Sequence, residues 1–308
     1  MADYNLQVRF DRPTDEIKLI SILAPVRNLK VGDTLNLEIF LSSQVIHSGT
    51  LLIAASFINH LRLLGVIVNI KIHGESSYAS RINFYKLLGI AFDETFPRKN
   101  SSGRFLELRS FDRNTIYQLQ DELNMILYQN GGITREVLEL LFYCLGEIMD
   151  NILVHSGLDY GWVTAQHYPY KRDIRLTICD FGQGIYRSLT KHPQSKYKDV
   201  SEAEALGLSI QRGVTNGEGL GFGLFATSQF ILRNSGDLLL YSGDHYLRAE
   251  NGSYGIYAGD HFPGTLVSLR INTDIPVDYK AIMPAHHTLP DDYDFFIEKF
   301  FGENDELW

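Results

Sequence analysis

The chain has 308 residues, 44% of them hydrophobic, 12% aromatic and 21% charged, which is ample apolar material for a core and a length that predicts about two domains. Twenty-eight Lys and Arg against 37 Asp and Glu leave a formal charge of −9. That argues against a broad, charge-driven nucleic-acid surface, because neutralising phosphates needs cations. Two cysteines, Cys144 and Cys179, exclude a disulfide framework or a cysteine metal cluster, and their apolar flanks predict buried thiols. The N-terminus is polar, with no apolar signal core. The longest apolar run, residues 51–58, falls far short of the roughly 20 residues that span a bilayer. The expected setting is therefore cytoplasmic, with no membrane span.

In chain order, residues 1–112 read as a small α/β unit. Residues 35–41 have strand character. Residues 48–64 place apolar side chains at helical spacing and stop before Gly65. Residues 66–72 alternate as a strand does, and 77–88 are again helical, with Gly89 as the stop. Residues 97–103 are a loop by composition, and 105–108 are one more strand candidate. A helical connector begins near Asp112 and is broken at Asn130, Gly131 and Gly132, so the domain boundary falls within 113–132. Thr134 is a good N-cap for a long helix from about Arg135 to His155. Strands over 161–167 and 173–179 follow. Residues 186–218 are polar with weak periodicity. A helix is predicted from Gly221 to Asn234, then short strands over 237–270. The acidic end of the tail, 289–308, carries Phe295, Phe296, Phe300 and Phe301, as a short amphipathic docking helix would.

Candidate chemistry concentrates on the long helix. At about 100° per residue, Glu147, Asn151 and His155 share one stripe, with Asp150 beside them. Leu141, Leu145, Ile148, Met149 and Ile152 cover much of the remaining circumference. A polar stripe on a largely buried helix is either a satisfied core network or the floor of a ligand pocket.

Two glycine-rich turns point to the pocket. Asp180 ends an apolar strand, and Gly182 and Gly184 behind it let a ligand approach the backbone closely. Gly219, Gly221 and Gly223 alternate ahead of a helix, which offers backbone N–H groups and the helix dipole to an anion. Farther on, Gly264 and Thr265 open a strand. Other phosphate-binding patterns fail: the chain has no Gly-Lys pair for a P-loop, and neither glycine cluster completes a dinucleotide fingerprint. Asp180-Phe181-Gly182 mimics a protein-kinase metal motif, but no partner motif stands at the required spacing.

The order Glu147-x-x-x-Asn151, Asp180-x-Gly182-x-Gly184, Gly219-x-Gly221-x-Gly223-Leu224, Gly264-Thr265 closely resembles the GHKL superfamily. That is the ATP-binding domain of DNA gyrase, the ninety-kilodalton heat-shock chaperones, sensor histidine kinases and MutL. The resemblance implies ATP and Mg²⁺ as cofactors. It matches Asn151 to the Mg²⁺-binding asparagine and Glu147 to the carboxylate that activates the attacking nucleophile. Asp180 matches the acceptor for the adenine amino group, Gly182 and Gly184 the glycines beside the base, and Thr265 the threonine next to it. Gly219, Gly221 and Gly223 match the phosphate-facing glycines. His155, on the same stripe, and Asp150, beside it, are counted with the nucleotide contacts. Residues 186–218 then correspond to the ATP lid, where Lys191, Lys196, Lys198 and Arg212 are candidates to reach phosphate.

Glu147 favours real catalysis over the sensor-kinase branch, which usually lacks it. Its spacing to Asn151 and His155 is similar to that of anti-sigma-factor serine kinases. The N-terminal unit loosely resembles a STAS domain, the partner of those kinases. Ser48, preceded by His47 instead of an acid, is there either a phosphoacceptor or an N-cap.

The implied fold is α/β (α+β). A STAS-like domain spans 1–112 and a connector 113–132. A GHKL sandwich at 133–275 sets helices on one face of a mixed sheet, and a tail covers 276–308. Three activities stay open: an Mg²⁺-dependent ATPase switching a protein partner, a serine/threonine kinase acting on a STAS-type protein, and an ATP-gated adaptor that does not hydrolyse. The implied partner is a protein, with a STAS-type protein and a second copy of the chain as candidates.

Overall fold

The structure, a computed structural model, describes residues 1–42, 46–130, 135–193, 195–215, 221–278 and 282, with backbone only for 135–137. Most of the acidic tail, including its four phenylalanines, lies outside the described residues.

The N-terminal unit is built on β1 (Asp3–Arg9), α1 (Glu16–Leu23), β2 (Thr34–Phe40), α2 (Ser48–Leu63) and β3 (Ile67–His73). The strands pair in parallel in the order β1-β2-β3, so the chain must cross back between them, and α1 and α2 are the crossovers. On β2, Leu35, Leu37 and Ile39 are buried while Asn36 and Glu38 face outward. β1 and α1 have no strong sequence signal. β1 is an edge strand whose residues are mostly exposed, and α1 is short, with the Asp15 carboxylate accepting from the Lys18 N–H at 2.8 Å as its cap. The helix expected over 77–88 is split into α3 (Ser77–Arg81) and α4 (Phe84–Leu87), because Asn83 between them turns left-handed, φ 67°.

The second sheet holds β4 (Phe105–Phe111), β5 (Gly161–Tyr168), β6 (Asp173–Cys179), β7 (Asp237–Glu250) and β8 (Ser253–Asn272) in the order β4-β5-β6-β8-β7. Every bonded pair is antiparallel, which corrects the expected mixed sheet. β6 and β7 point the same way, but β8 lies between them. β4 joins this sheet through β5, not the N-terminal unit. The short strands expected over 237–270 are two long ones, turned at Asn251 and Gly252, both with positive φ.

On the front of this sheet lie α5 (Ile116–Asn130), α6 (Arg135–His155) and α9 (Gly223–Arg233). Leu141, Leu145 and Met149 share a core there with Val163, Ile178 and Val267. The stretch read as a polar lid is largely folded into α7 (Gly184–Thr190) and α8 (Glu202–Ser209). A capping box between Ser201 and Glu204 starts α8, which buries Ala205 and Leu206.

Helices were expected on one face only. The back face instead carries the N-terminal unit, because α2 is buried on all sides from Ser48 to Ile58 and needs cover from both sheets. Trp162, Cys179, Leu266 and Tyr241 form one cross-strand row beneath it. Gly49 permits the approach: a Cβ there would stand 2.5 Å from Thr177 Oγ1. Ser48 is the first helical residue of α2, and its N-cap is His47. The Ser48 hydroxyl turns to Tyr78 and Tyr168 and caps nothing. Both cysteines are fully buried, and burial pushes both thiols up to about 12. Among the described residues no helix is long and apolar enough to cross a membrane.

The seam between α2 and the sheet should be acid-labile. Burial pushes His60, on α2, from 6.5 down to about 4. The unfolded chain binds that proton near pH 6.5 and the folded chain refuses it until about 4, so stability is complete above 6.5 and falls between the two. Melting temperatures measured across this window should fall less steeply for His60→Phe than for the unaltered chain.

Candidate functional site

The C-terminal half of α6, the turn after β6 and the start of α9 border a cleft on the front of the five-stranded sheet. Its walls are apolar, with Ile148, Ile152, Ile185, Leu189 and Val267 facing inward. Polar groups sit at its two ends. That division suits a ligand with a flat apolar part and a charged part.

The α6 stripe forms one side. Glu147, Asn151 and His155 all line the cleft. Asp150 does not: it lies about 60° from Glu147 and about 100° from Asn151 round the helix, exposed, where its charge meets that of Arg113. Glu147 is half-buried. Burial, and secondarily the like charge of Asp150, raise its pKa above the usual carboxylate range, while the Tyr143 hydroxyl acts the other way. α9 begins beside it with no side-chain cap. The two helices approach so closely that a Cβ on Gly223 would stand 2.5 Å from the Glu147 Cβ.

At the other end, Asp180 is 1% exposed. Its Oδ1 accepts from the Gly182 N–H at 2.7 Å and its Oδ2 from the Thr265 N–H at 3.2 Å. Burial still outweighs both bonds and raises the carboxyl to about 7. The turn is tied down on both flanks. Gln183 N–H donates to the Ser156 carbonyl at the end of α6, and Ile185 N–H donates to Ser242 Oγ on β7. Gly264 takes φ +89°, and a Cβ there would stand 2.6 Å from Asp180 Oδ1, so this position favours glycine twice over.

Gly184, Gly221, Gly223 and Thr265 line the cleft with Asp180. Gly182 does not. Its open side faces the Ser156 backbone, so it serves packing of the turn against α6. Gly219 lies outside the described residues. Lys191, Lys196, Lys198 and Arg212 are not in the lining, and among the described lining residues there is no lysine or arginine. Lys198 instead donates to the Pro193 carbonyl at 3.0 Å, and the Lys196 ammonium sits 5.2 Å from the Tyr197 ring.

Sequence reasoning missed the apolar walls and the Ser156 and Ser242 ties. Ile148 and Ile152 each follow a stripe residue by one, which is the signal that could have found them. Among the described residues no group of three His, Cys, Asp or Glu could hold a metal by itself. Asn151 and Glu147 instead offer two neighbouring oxygen donors, the kind of partial set that suits a hard cation whose other ligands are phosphate and water.

The chain matches no family model, no curated protein and no solved structure.

Gly223→Ala should lower the melting temperature. Alanine favours a helix by up to about 1 kcal/mol over glycine, but forcing a methyl between α9 and α6 costs about 1–3 kcal/mol. Thermal unfolding of the variant checks the sign.

Proposed function

We propose that the cleft binds ATP with Mg²⁺, and that the chain is a GHKL-type ATPase or phosphotransferase that switches a protein partner, with a STAS-like unit at its N-terminus. The observation that carries this reading is the pairing of a buried acceptor with an anion-facing helix start across one cleft. Asp180 supplies the first and α9 the second.

A base amino group is a donor, and the Asp180 carboxylate keeps lone pairs beyond the two used by Gly182 and Thr265. The apolar walls would cover the faces of the ring. The first N–H groups of α9 have no side-chain cap and would meet phosphate. Two carboxylates and no cation in the described lining call for a counter-ion, and Asn151, with Glu147 beside it, would hold Mg²⁺. Bound there, Mg²⁺ would neutralise phosphate charge. Glu147, with its raised pKa, is suited to orient a nucleophile and take its proton. That nucleophile is water in an ATPase and a serine hydroxyl in a kinase. Ser48 of the same chain is a poor acceptor, since it is buried behind the sheet, opposite the cleft.

Asp180→Asn should weaken ATP binding by roughly ten- to a hundredfold, because one side of its amide turns a donor toward a donor. Calorimetry on the folded variant tests this, and unchanged affinity would remove Asp180 from the base site. Glu147→Ala should bind ATP yet lose turnover by about 100-fold or more, while Asn151→Ala should lose the Mg²⁺-dependent part of binding. Phosphate release and labelled-phosphate transfer to protein separate hydrolysis from kinase action. Binding without either would make the chain an adaptor.

The ionised form of Asp180 is the better acceptor, and its carboxyl titrates at about 7. Adenosine has no phosphate to titrate, so its affinity should fall as pH drops through 7 in the unaltered chain and stay flat in Asp180→Asn.

A further inference from the structure

Asp180 and Phe181 are consecutive, yet they serve opposite sides of the sheet. Asp180 lines the cleft, whereas Phe181, 4% exposed, belongs to the core shared with the N-terminal unit. Four rings surround it. Trp162 meets it edge-on at 5.4 Å, and Phe262 lies at 5.2 Å. The other two come from α2: Phe57 at 5.8 Å, and His60 stacked at 5.0 Å with 18° between planes.

We propose that the N-terminal unit sets the affinity of the cleft through Phe181: α2 grips that ring behind the sheet and thereby positions the Asp180 carboxylate in front of it. Phe57 and His60 are positioning residues in this scheme. It rests on reading Asp180 as the acceptor for the base, and it adds how that acceptor is controlled.

The turn leaves little slack to absorb a movement of Phe181. Its backbone is bonded to Ser156, Ser242 and Thr265, and Gly182 is pressed against Ser156. Gly182 directly follows Phe181 and its N–H is one of the two donors to the Asp180 carboxylate, so a displaced ring shifts that donor and the carboxylate with it.

The grip is not built for maximal stability. His60 Nδ1 is buried with no partner, a cost that phenylalanine at the same place would not carry. At the far end of α2, a polar cavity opens beside its first turn, lined by Glu16, His47, Gly49, Arg175 and Arg270. α2 thus packs over an apolar row near Phe181 and borders a polar cavity at its other end. By linkage, whatever loosens α2 weakens nucleotide binding, and nucleotide tightens the seam to the same degree.

Trp162 reports on the seam, since Trp162 and Trp308 are the only tryptophans in the chain. In a Trp308→Phe background, ATP and Mg²⁺ should shift Trp162 emission with the same Kd that calorimetry gives, and Asp180→Asn should abolish the shift at those concentrations. His60→Ala should weaken ATP binding about tenfold, and His60→Phe, which restores the stacked ring, should bind within about twofold of the unaltered chain. Circular dichroism confirms that each variant is folded. Normal ATP binding with unchanged Trp162 emission and an unaffected His60→Ala would overturn the coupling and leave the nucleotide reading standing. If the unaltered chain binds no ATP, the nucleotide reading falls and takes the coupling with it. If His60→Ala does not fold, the Trp162 response alone decides.

Discussion

A helix that is apolar on every side has to be covered on every side, and α2 imposes that demand on the whole molecule. From Ser48 to Ile58 it offers no solvent face. The three-stranded sheet covers one side with Leu35, Leu37 and Ile39, and the five-stranded sheet covers another with Trp162, Cys179 and Leu266. Burying each large apolar side chain contributes about 1.5–3 kcal/mol, so separating the two units would expose a run of such losses at once. The N-terminal unit is therefore part of the wall behind the cleft, and no flexible tether is needed to account for it.

The same sheet carries two environments. Its front faces α6 and α9 and ends in a cleft with a buried carboxylate. Its back is apolar near Phe181 and becomes polar toward Arg175 and Arg270, where the cavity under α2 opens. Alternation along β6 explains the division. Ile174, Leu176 and Ile178 point to the front core, while Arg175, Thr177 and Cys179 point back. Asp180 follows at the end of this strand. Its carboxyl is raised because burial costs the charge more than two N–H donors return. Glu147 is raised for the same reason, and the described lining offers no cation to either.

Much of the candidate site was legible before the fold was known. Helical periodicity put Glu147, Asn151 and His155 on one stripe, and the structure brings all three to one cleft with Asp180, Gly184, Gly221, Gly223 and Thr265. Periodicity erred at Asp150, which lies about 100° from Asn151, on the exposed side of α6 away from Ile148 and Ile152. The glycines were legible as glycines, but their reasons were not. Gly182 serves contact with Ser156 and Gly223 contact with Glu147, both between segments distant in sequence. The stretch 186–218 looked polar and loose because its buried apolar residues, Leu189, Ala205, Leu206 and Ile210 among those described, are too few and too widely spaced to show a period.

By itself the sequence determined the local elements: α2 and α6 by helical spacing of apolar residues, β3 by alternation, β2, β5 and β6 as runs of strand character, and the strand-end position of Asp180. These depend on side chains within a few residues of one another, and the chain order displays them. Only the tertiary structure decided that β4 leaves the N-terminal unit for the second sheet, that β8 separates β6 from β7, and that α2 lies beneath Phe181. Those choices turn on which apolar surfaces find each other across long stretches of chain. Burial free energy has no direction along the sequence, so several arrangements satisfy the same local pattern, and packing selects the one that leaves the least apolar surface in water.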